Sequence, residues 1–378
     1  MAVLRLAAAG LLFALLAACG SKGPKPAPLV DFKPSTQLRV DWHANVGDGG
    51  RYIFSPAVYQ DSVFAAGSTG DLVRLNAGTG KPVWRVNTRL PLSGGVGVGD
   101  NLVLVGSAKG VVLAYDLDGK PLWQSTVSSE VLSSPQASGE FVVVRSGDNR
   151  IFGLDARDGS RRWEYQTVTP ALTLRANPGV AIIDNFVMAG MPAGKLVVLS
   201  LANGGVVWET LVATPKGDNE LERITDIAGQ PLVEKNKVCA VTYQGRAACY
   251  ETEKGSQLWA RPASSAGRLA VDDLSVYLTE DVGSVVALDK NAGTSVWKQD
   301  KLSYRNLSSP LAFKDYVVVG DFEGQVHFLK FEDGSFAARV ATDGSSITTA
   351  PQVMNDKVLV QTREGSLYAI SIRQAKAK

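Results

Sequence analysis

Runs of alternating or β-branched apolar residues recur along the chain, each closed by a short polar turn; Val142-Val143-Val144 and Tyr316-Val317-Val318-Val319 are two of them. After such a run comes a stretch of fixed form. Ala287-Leu288-Asp289 leads to Gly293 and then to Trp297; Gly153-Leu154-Asp155 leads to Gly159 and Trp163; Arg74-Leu75-Asn76 leads to Gly80 and Trp84. Each reads as the end of one strand, a tight turn closed by Gly, and a second strand with Trp four residues on. Corners at Ser55-Pro56, Ser134-Pro135, Ser309-Pro310 and Ala350-Pro351 precede the apolar runs, and turns such as Asp148-Asn149, Glu323-Gly324 and Glu364-Gly365 interrupt them. The unit is therefore a meander of four short antiparallel strands.

The seven tryptophans, Trp42, Trp84, Trp123, Trp163, Trp208, Trp259 and Trp297, stand 38 to 51 residues apart, which is a repeat signature. A lone small sheet cannot cover both its faces, so neighbouring units must stack on it. A ring of such units is a β-propeller, which leaves only short, protected edges. One indole per unit, burying roughly 150–250 Å², suits a wedge between blades. Counting gives eight blades. The eighth wedge is missing, because four residues after Gly334 the chain has Ala338. The last repeat also stops near Gly365–Ser371, one strand short, while a spare strand with Trp42 sits at Leu38–Trp42. The expected fold is all-β: an eight-bladed propeller of four-stranded antiparallel blades spanning 37–376, its last blade completed by the N-terminal strand.

Residues 1–18 do not fit this pattern. One positive charge at Arg5 and a 13-residue apolar run, Leu6–Ala18, form a signal-peptide core too short to span a bilayer. The run ends in Leu16-Ala17-Ala18-Cys19-Gly20, which resembles a bacterial lipobox with Cys19 as the acylated residue. Several acyl chains on Cys19 suffice for stable anchoring, and Gly20 in place of Asp favours the outer membrane, facing the periplasm. Residues 19–36, with four prolines and three lysines, read as an extended, flexible tether.

Composition narrows the function. The whole chain has 39 basic and 37 acidic residues, and this balance leaves no electrostatic footprint for nucleic acid. The two histidines, His43 and His327, have no metal-ligand spacing around them and are expected to be structural. Asp116, Asp155 and Asp289 are expected to bond the amides of their own turns. No P-loop, nucleophile elbow or zinc motif is present, so no cofactor or metal is expected. Cys239 and Cys249 flank the turn Tyr243–Arg246 symmetrically. A cross-strand disulfide and a pair of small buried side chains both fit that placement.

Ring positions are equivalent for folding, so departures from the repeat are where function can hide. The interval from Trp to the following corner Pro is longest from Trp208 to Pro231, and the interval from Trp163 to Pro178 is also long. Both segments belong to successive repeats and should emerge side by side on one face. The first carries Leu172, Leu174 and Arg175; the second carries Glu222, Arg223 and Asp226. Exposed leucines beside charged residues suit a protein-binding patch; leucines packed on the neighbouring blade are the other reading.

The repeat Ala-x-Asp-x-x-x-Gly-x-x-x-Trp resembles that of the quinoprotein (PQQ-like) propellers. Eight such repeats behind a lipobox resemble the BamB (YfgL) family, lipoproteins of the outer-membrane β-barrel assembly machinery. The resemblance covers the whole chain. It implies a non-enzymatic scaffold of the BAM complex, bound to the POTRA domains of BamA, with unfolded outer-membrane proteins as further contacts. In that family a Leu-x-Leu-Arg stretch and an Asp-x-Asp loop contact BamA. Leu172, Leu174 and Arg175 match the first; Asp226 matches the first Asp of the second, but Ala228 stands where the other Asp would be, with Glu222 nearby. Two rivals remain: an adaptor for another periplasmic partner, and a quinoprotein dehydrogenase. The latter would need a calcium-bound quinone, an Asp base and a disulfide between adjacent cysteines; no two cysteines here are adjacent.

Overall fold

A computed structural model describes residues 23–176 and 178–373. The expected signal peptide and the expected acylation site, Cys19, lie outside these residues. Strands of two to nine residues form eight four-stranded antiparallel sheets. Blades one to seven span 57–87, 92–126, 136–165, 180–211, 232–263, 270–299 and 311–341. Blade eight combines three strands of 352–373 with the strand Gln37–Asn45. That strand pairs with Ser366–Arg373, from Gln37 opposite Arg373 to Asn45 opposite Ser366. The expected ring and its closure are both present.

The middle strands are apolar on both faces because each blade is covered by two neighbours. Val142, Val143 and Val144 are all fully buried, as are Val317, Val318 and Val319. The core is accordingly a set of inter-blade layers. One of them joins Val63 and Val73 of blade one to Leu359 and Leu367 of blade eight across the closure.

The indoles act between blades, and the repeat's Gly is the other half of the same contact. Each Trp Nε1 donates to a carbonyl in the last turn of the following blade: Trp42 to Ala77, Trp84 to Leu117, Trp123 to Ala156, Trp163 to Leu201, Trp208 to Thr252, Trp259 to Lys290 and Trp297 to Phe331, at 2.7–3.1 Å. The indole ring lies against that turn's Gly. A Cβ on Gly80, Gly119, Gly159, Gly204, Gly255, Gly293 or Gly334 would come within 2.5–3.0 Å of it, and all seven glycines have φ between +66° and +81°. Two constraints, a left-handed backbone and no room for a methyl group, therefore fall on one residue.

The loss of the eighth wedge now has a cause. Blade eight has no turn between its third and fourth strands, because its fourth strand comes from the other end of the chain. An indole at Ala338 would have no turn to enter. The chain's own N-terminal segment packs beside it instead: Ser35 and Thr36 donate N–H groups to Ala337 O, and Phe32 stacks on Phe336 with centroids 5.3 Å apart. This corrects the expectation of a free tether up to residue 36, since residues 27–36 are docked on blade seven.

Cys239 and Cys249 are directly paired in register and joined by a disulfide, which settles the open alternative in favour of the bridge. His43 is exposed on the closing strand and stacked on Tyr368. His327 is fully buried, with Nε2 3.0 Å from Asp321 Oδ2. The turn aspartates bond as expected: Asp116 accepts from the N–H of Asp118 and Lys120, Asp155 from that of Arg157, and Asp289 from those of Asn291 and Ala292. Hydrogen bonds from the Arg157 side chain, and then from its backbone, hold the Asp155 carboxyl down at about 2. The N–H groups of Ala292 and Asn291 hold Asp289 below its ordinary value.

Two predictions follow from the turns. Gly293→Ala should cost about 3 kcal/mol, from a strained φ and a clash with Trp259. Gly139→Ala, at a φ of +59° with nothing within 4 Å of the added carbon, should cost only about 1 kcal/mol; urea melts of the two variants check the difference. A carboxylate with a depressed folded pKa stabilises the fold above the unfolded value near 4, and this contribution is lost as pH falls toward the folded value. Stability supplied by Asp155 should persist down to about pH 4 and decline between about 4 and 2. Unfolding midpoints against pH should show a shallower acid limb in Asp155→Asn.

Candidate partner-binding site

In a four-stranded meander, every segment leading from an outer strand to the next inner strand emerges on one face of the ring. The two irregular segments, 166–179 and 212–231, are of this kind, on either side of blade four. They therefore stand side by side, as the spacing predicted.

A buried carboxylate locks them together. Asp226 is 5% exposed; its Oδ2 accepts the N–H of Leu174 at 2.6 Å, and its Oδ1 that of Ala193 at 3.0 Å. Beneath it lies Arg145, 5% exposed, which donates to Gly190 O and to Asn149 Oδ1. Burial pushes the Arg145 guanidinium down to about 10, and the Asp226 charge opposes that shift. At neutral pH Arg145 thus remains a cation under the loops. Asp226 belongs to the second loop and holds a backbone group of the first, so its role is that of a brace and not of a surface contact.

The remaining candidates divide in the same way. Leu172 is 44% exposed, whereas Leu174 is half-buried over a cavity of about 120 Å³ lined also by Leu132, Arg145 and Asn149. The two leucines thus differ: Leu172 stands in solvent, while Leu174 faces Leu132 across the cavity. Arg175 lines the same cavity and pairs with Glu130 of the preceding inter-blade segment at 2.7 Å. Glu222 and Arg223 lie on the exposed tip and knot it: Glu222 accepts from Asp218 N and Asn219 Nδ2, and Arg223 donates to Gly217 O and Glu220. The return of the loop is buried from Thr225 to Ala228. No carboxylate is presented at Ala228, and the carboxyl of Glu222 is already engaged within its own loop.

Sequence reasoning missed Val168, 94% exposed, and Leu221, 68% exposed, which enlarge the apolar surface of the two loops. The signal was present in both cases: an aliphatic residue inside a segment too long for the repeat. It also missed Glu130 and Arg145, whose positions in regular repeats gave no hint of their partners.

The mouth of the central channel holds a cavity of about 540 Å³ lined by inner strands and by the segments that lead into them around the ring, with Arg268, Gln136, Gln230 and Gln352 in its wall. Among the described residues its lining contains no carboxylate, histidine or cysteine. A calcium-held quinone with a carboxylate base does not fit such a donor set.

Asp226→Ala should cost about 3 kcal/mol, because it frees the amides of Leu174 and Ala193 and leaves the buried Arg145 without a counter-charge. Hydrogen exchange should rise over 171–176 while exchange in blades one and eight stays unchanged.

Comparison with known proteins places the chain by family and fold. The family described as "Outer membrane protein assembly factor BamB" is matched over residues 68–299 and 282–378. The protein of that name from Burkholderia pseudomallei is 40% identical over 368 residues, 97% of each chain. That from Nitrosomonas eutropha is 45% identical over 348 residues, 92% of this chain and 85% of the other. The crystal structure of BamB from Moraxella catarrhalis superposes with a TM-score of 0.83 at 26% identity, covering 89% of this chain and all of that one. A quinohemoprotein alcohol dehydrogenase from Comamonas testosteroni superposes with a TM-score of 0.72 at 13% identity, over 92% of this chain and 79% of that one. At that identity the likeness is one of fold alone.

Proposed function

This chain belongs to the BamB family of outer membrane protein assembly factors, and from that premise we propose that it is a scaffold docked on the POTRA domains of BamA. It acts in outer membrane protein assembly by binding and not by catalysis. Residues 1–18 are removed as a signal peptide, Cys19 is acylated, and the propeller of 37–376 is held at the outer membrane on its periplasmic side. Docked there, it orients the POTRA domains for the delivery of unfolded barrel proteins.

The observation that carries this reading is the braced pair of loops. Asp226 fixes the backbone at Leu174, and the same two loops leave Val168, Leu172 and Leu221 in solvent beside Arg175, Glu220 and Arg223. Apolar side chains on a rigid frame, edged by charges of both signs, have the composition of a protein interface. Pre-ordering by the brace lowers the entropy cost of docking.

The test is co-purification of the detergent-solubilised lipoprotein with Leu172→Asp as the variant. Leu172 is the better probe than Leu174, since a charge at Leu174 would also enter the cavity above Arg145. An unpaired carboxylate in an apolar contact should cost about 3 kcal/mol, roughly 100-fold in affinity. A barrel protein with POTRA domains should come down with the native chain and be lost with Leu172→Asp, at equal melting temperatures. Equal recovery with both would remove the loops from the interface. Recovery of no such protein would favour an adaptor for some other periplasmic partner.

A further inference from the structure

Residues 27–36 cross blade seven in a site built for them. Two arginines, one on the blade and one in the segment that leads into it, read backbone carbonyls of residues 27–36: Arg305 Nη1 donates to Ala27 O at 3.0 Å, and Arg339 Nη2 to Val30 O at 3.2 Å. Ala27 N returns a bond to Ser303 O at 2.9 Å. The Phe32 ring stacks on Phe336 and lies beneath the Arg339 guanidinium at 5.1 Å. At the other end Ser35 and Thr36 bond Ala337 O.

The arginines are themselves fixed from below. Arg305 is 3% exposed and pairs with Asp321, which is fully buried, at 2.7 Å, and with Glu323. His327 joins Asp321 to Arg339: its Nδ1 accepts from Arg339 Nε at 3.2 Å, so its Nε2 carries the proton and donates to Asp321. Buried charge networks of this sort are costly to assemble and specify geometry more than they add stability. Here the geometry they specify is the path of ten residues that belong to no blade.

That path has a direction. It starts at Gln37, where the closing strand begins, and ends at Ala27 against Ser303 and Arg305. Segment 300–310 joins an outer strand to the next inner strand, as do 166–179 and 212–231. All three emerge on one face.

We infer that residues 27–36 are a strap that fixes the exit of the membrane tether on the face bearing the two long loops, so that this face is turned to the lipid surface. The inference rests on the acylation of Cys19 proposed above. Residues 19–26 alone then separate the lipid from the docked segment, a reach of at most about 29 Å when fully extended. Releasing the strap would add about 36 Å and erase the preference for one face.

The experiment uses the full-length acylated protein in liposomes containing a headgroup acceptor dye. Donor dyes are placed one at a time through Lys216→Cys, on the second long loop, and Lys254→Cys, on the opposite face of blade five; both positions are exposed. Energy transfer from position 216 should exceed that from 254 at least about twofold. The difference should vanish in Phe32→Ser, or where residues 27–32 are replaced by Gly and Ser at equal length, a change that leaves every blade residue in place. Hydrogen exchange at Ala27, Ser35 and Thr36 should be slow in the native chain and fast in both variants. Equal transfer from both faces, or a difference that survives strap release, overturns the inference. So does fast exchange of those three amides in the native chain. Loss of the unmutated protein from liposomes overturns the anchor and the orientation with it, while co-purification through Leu172 would be untouched.

Discussion

The contact between a tryptophan on one blade and the turn glycine of the next sets the terms for the rest of the molecule. It combines a hydrogen bond from the indole N–H, a buried ring, and a backbone that must be left-handed where that ring lands. Each copy fixes the spacing and angle between two neighbours, and seven of them leave one junction to be made in another way. That junction joins blade seven to blade eight, which has no turn to offer, and there Val318, Phe328 and Ala338 pack directly on Val358, Val360 and Ile370. Blade eight is itself completed by pairing Gln37–Asn45 with Ser366–Arg373. The same strand delivers Trp42 to blade one. Closure and wedge are thus one device, and the ring has no open strand edge at its seam.

A ring held in this way tolerates irregular connections, because an insertion between blades does not disturb the layers on either side. The two long segments are not left loose. Asp226 and Arg145 are both buried beneath them, and the cost of burying the two opposite charges is offset by hydrogen bonds to Leu174, Ala193, Gly190 and Asn149. The visible result is an apolar edge of three aliphatic side chains, displayed on a frame whose position is settled before any partner arrives.

The fold was largely legible in the chain. The forty-residue period of Trp, the Gly four residues before it and the missing eighth Trp gave the blade count, the blade structure and the closure, since each is a local pattern repeated many times. The turn aspartates were equally readable, as their bonds reach only two to four residues away. The disulfide stayed undecided in the sequence because its pairing depends on whether two residues ten apart meet across a hairpin, and only the register answers that.

What the sequence by itself determined is everything that the repeat dictates: an all-β ring of eight blades, its seam, and the two segments where the pattern breaks. What only the tertiary structure decided is how residues from different blades share charge. Asp226 looked like a surface acid but is buried against Leu174, fifty-two residues away in the chain. His327 and Asp321 showed no ligand spacing and yet form the base of a socket for residues 27–36, nearly three hundred positions earlier. Local periodicity encodes packing between neighbouring repeats, because those contacts recur. A buried ion pair occurs once, draws its partners from distant segments, and leaves no period to read.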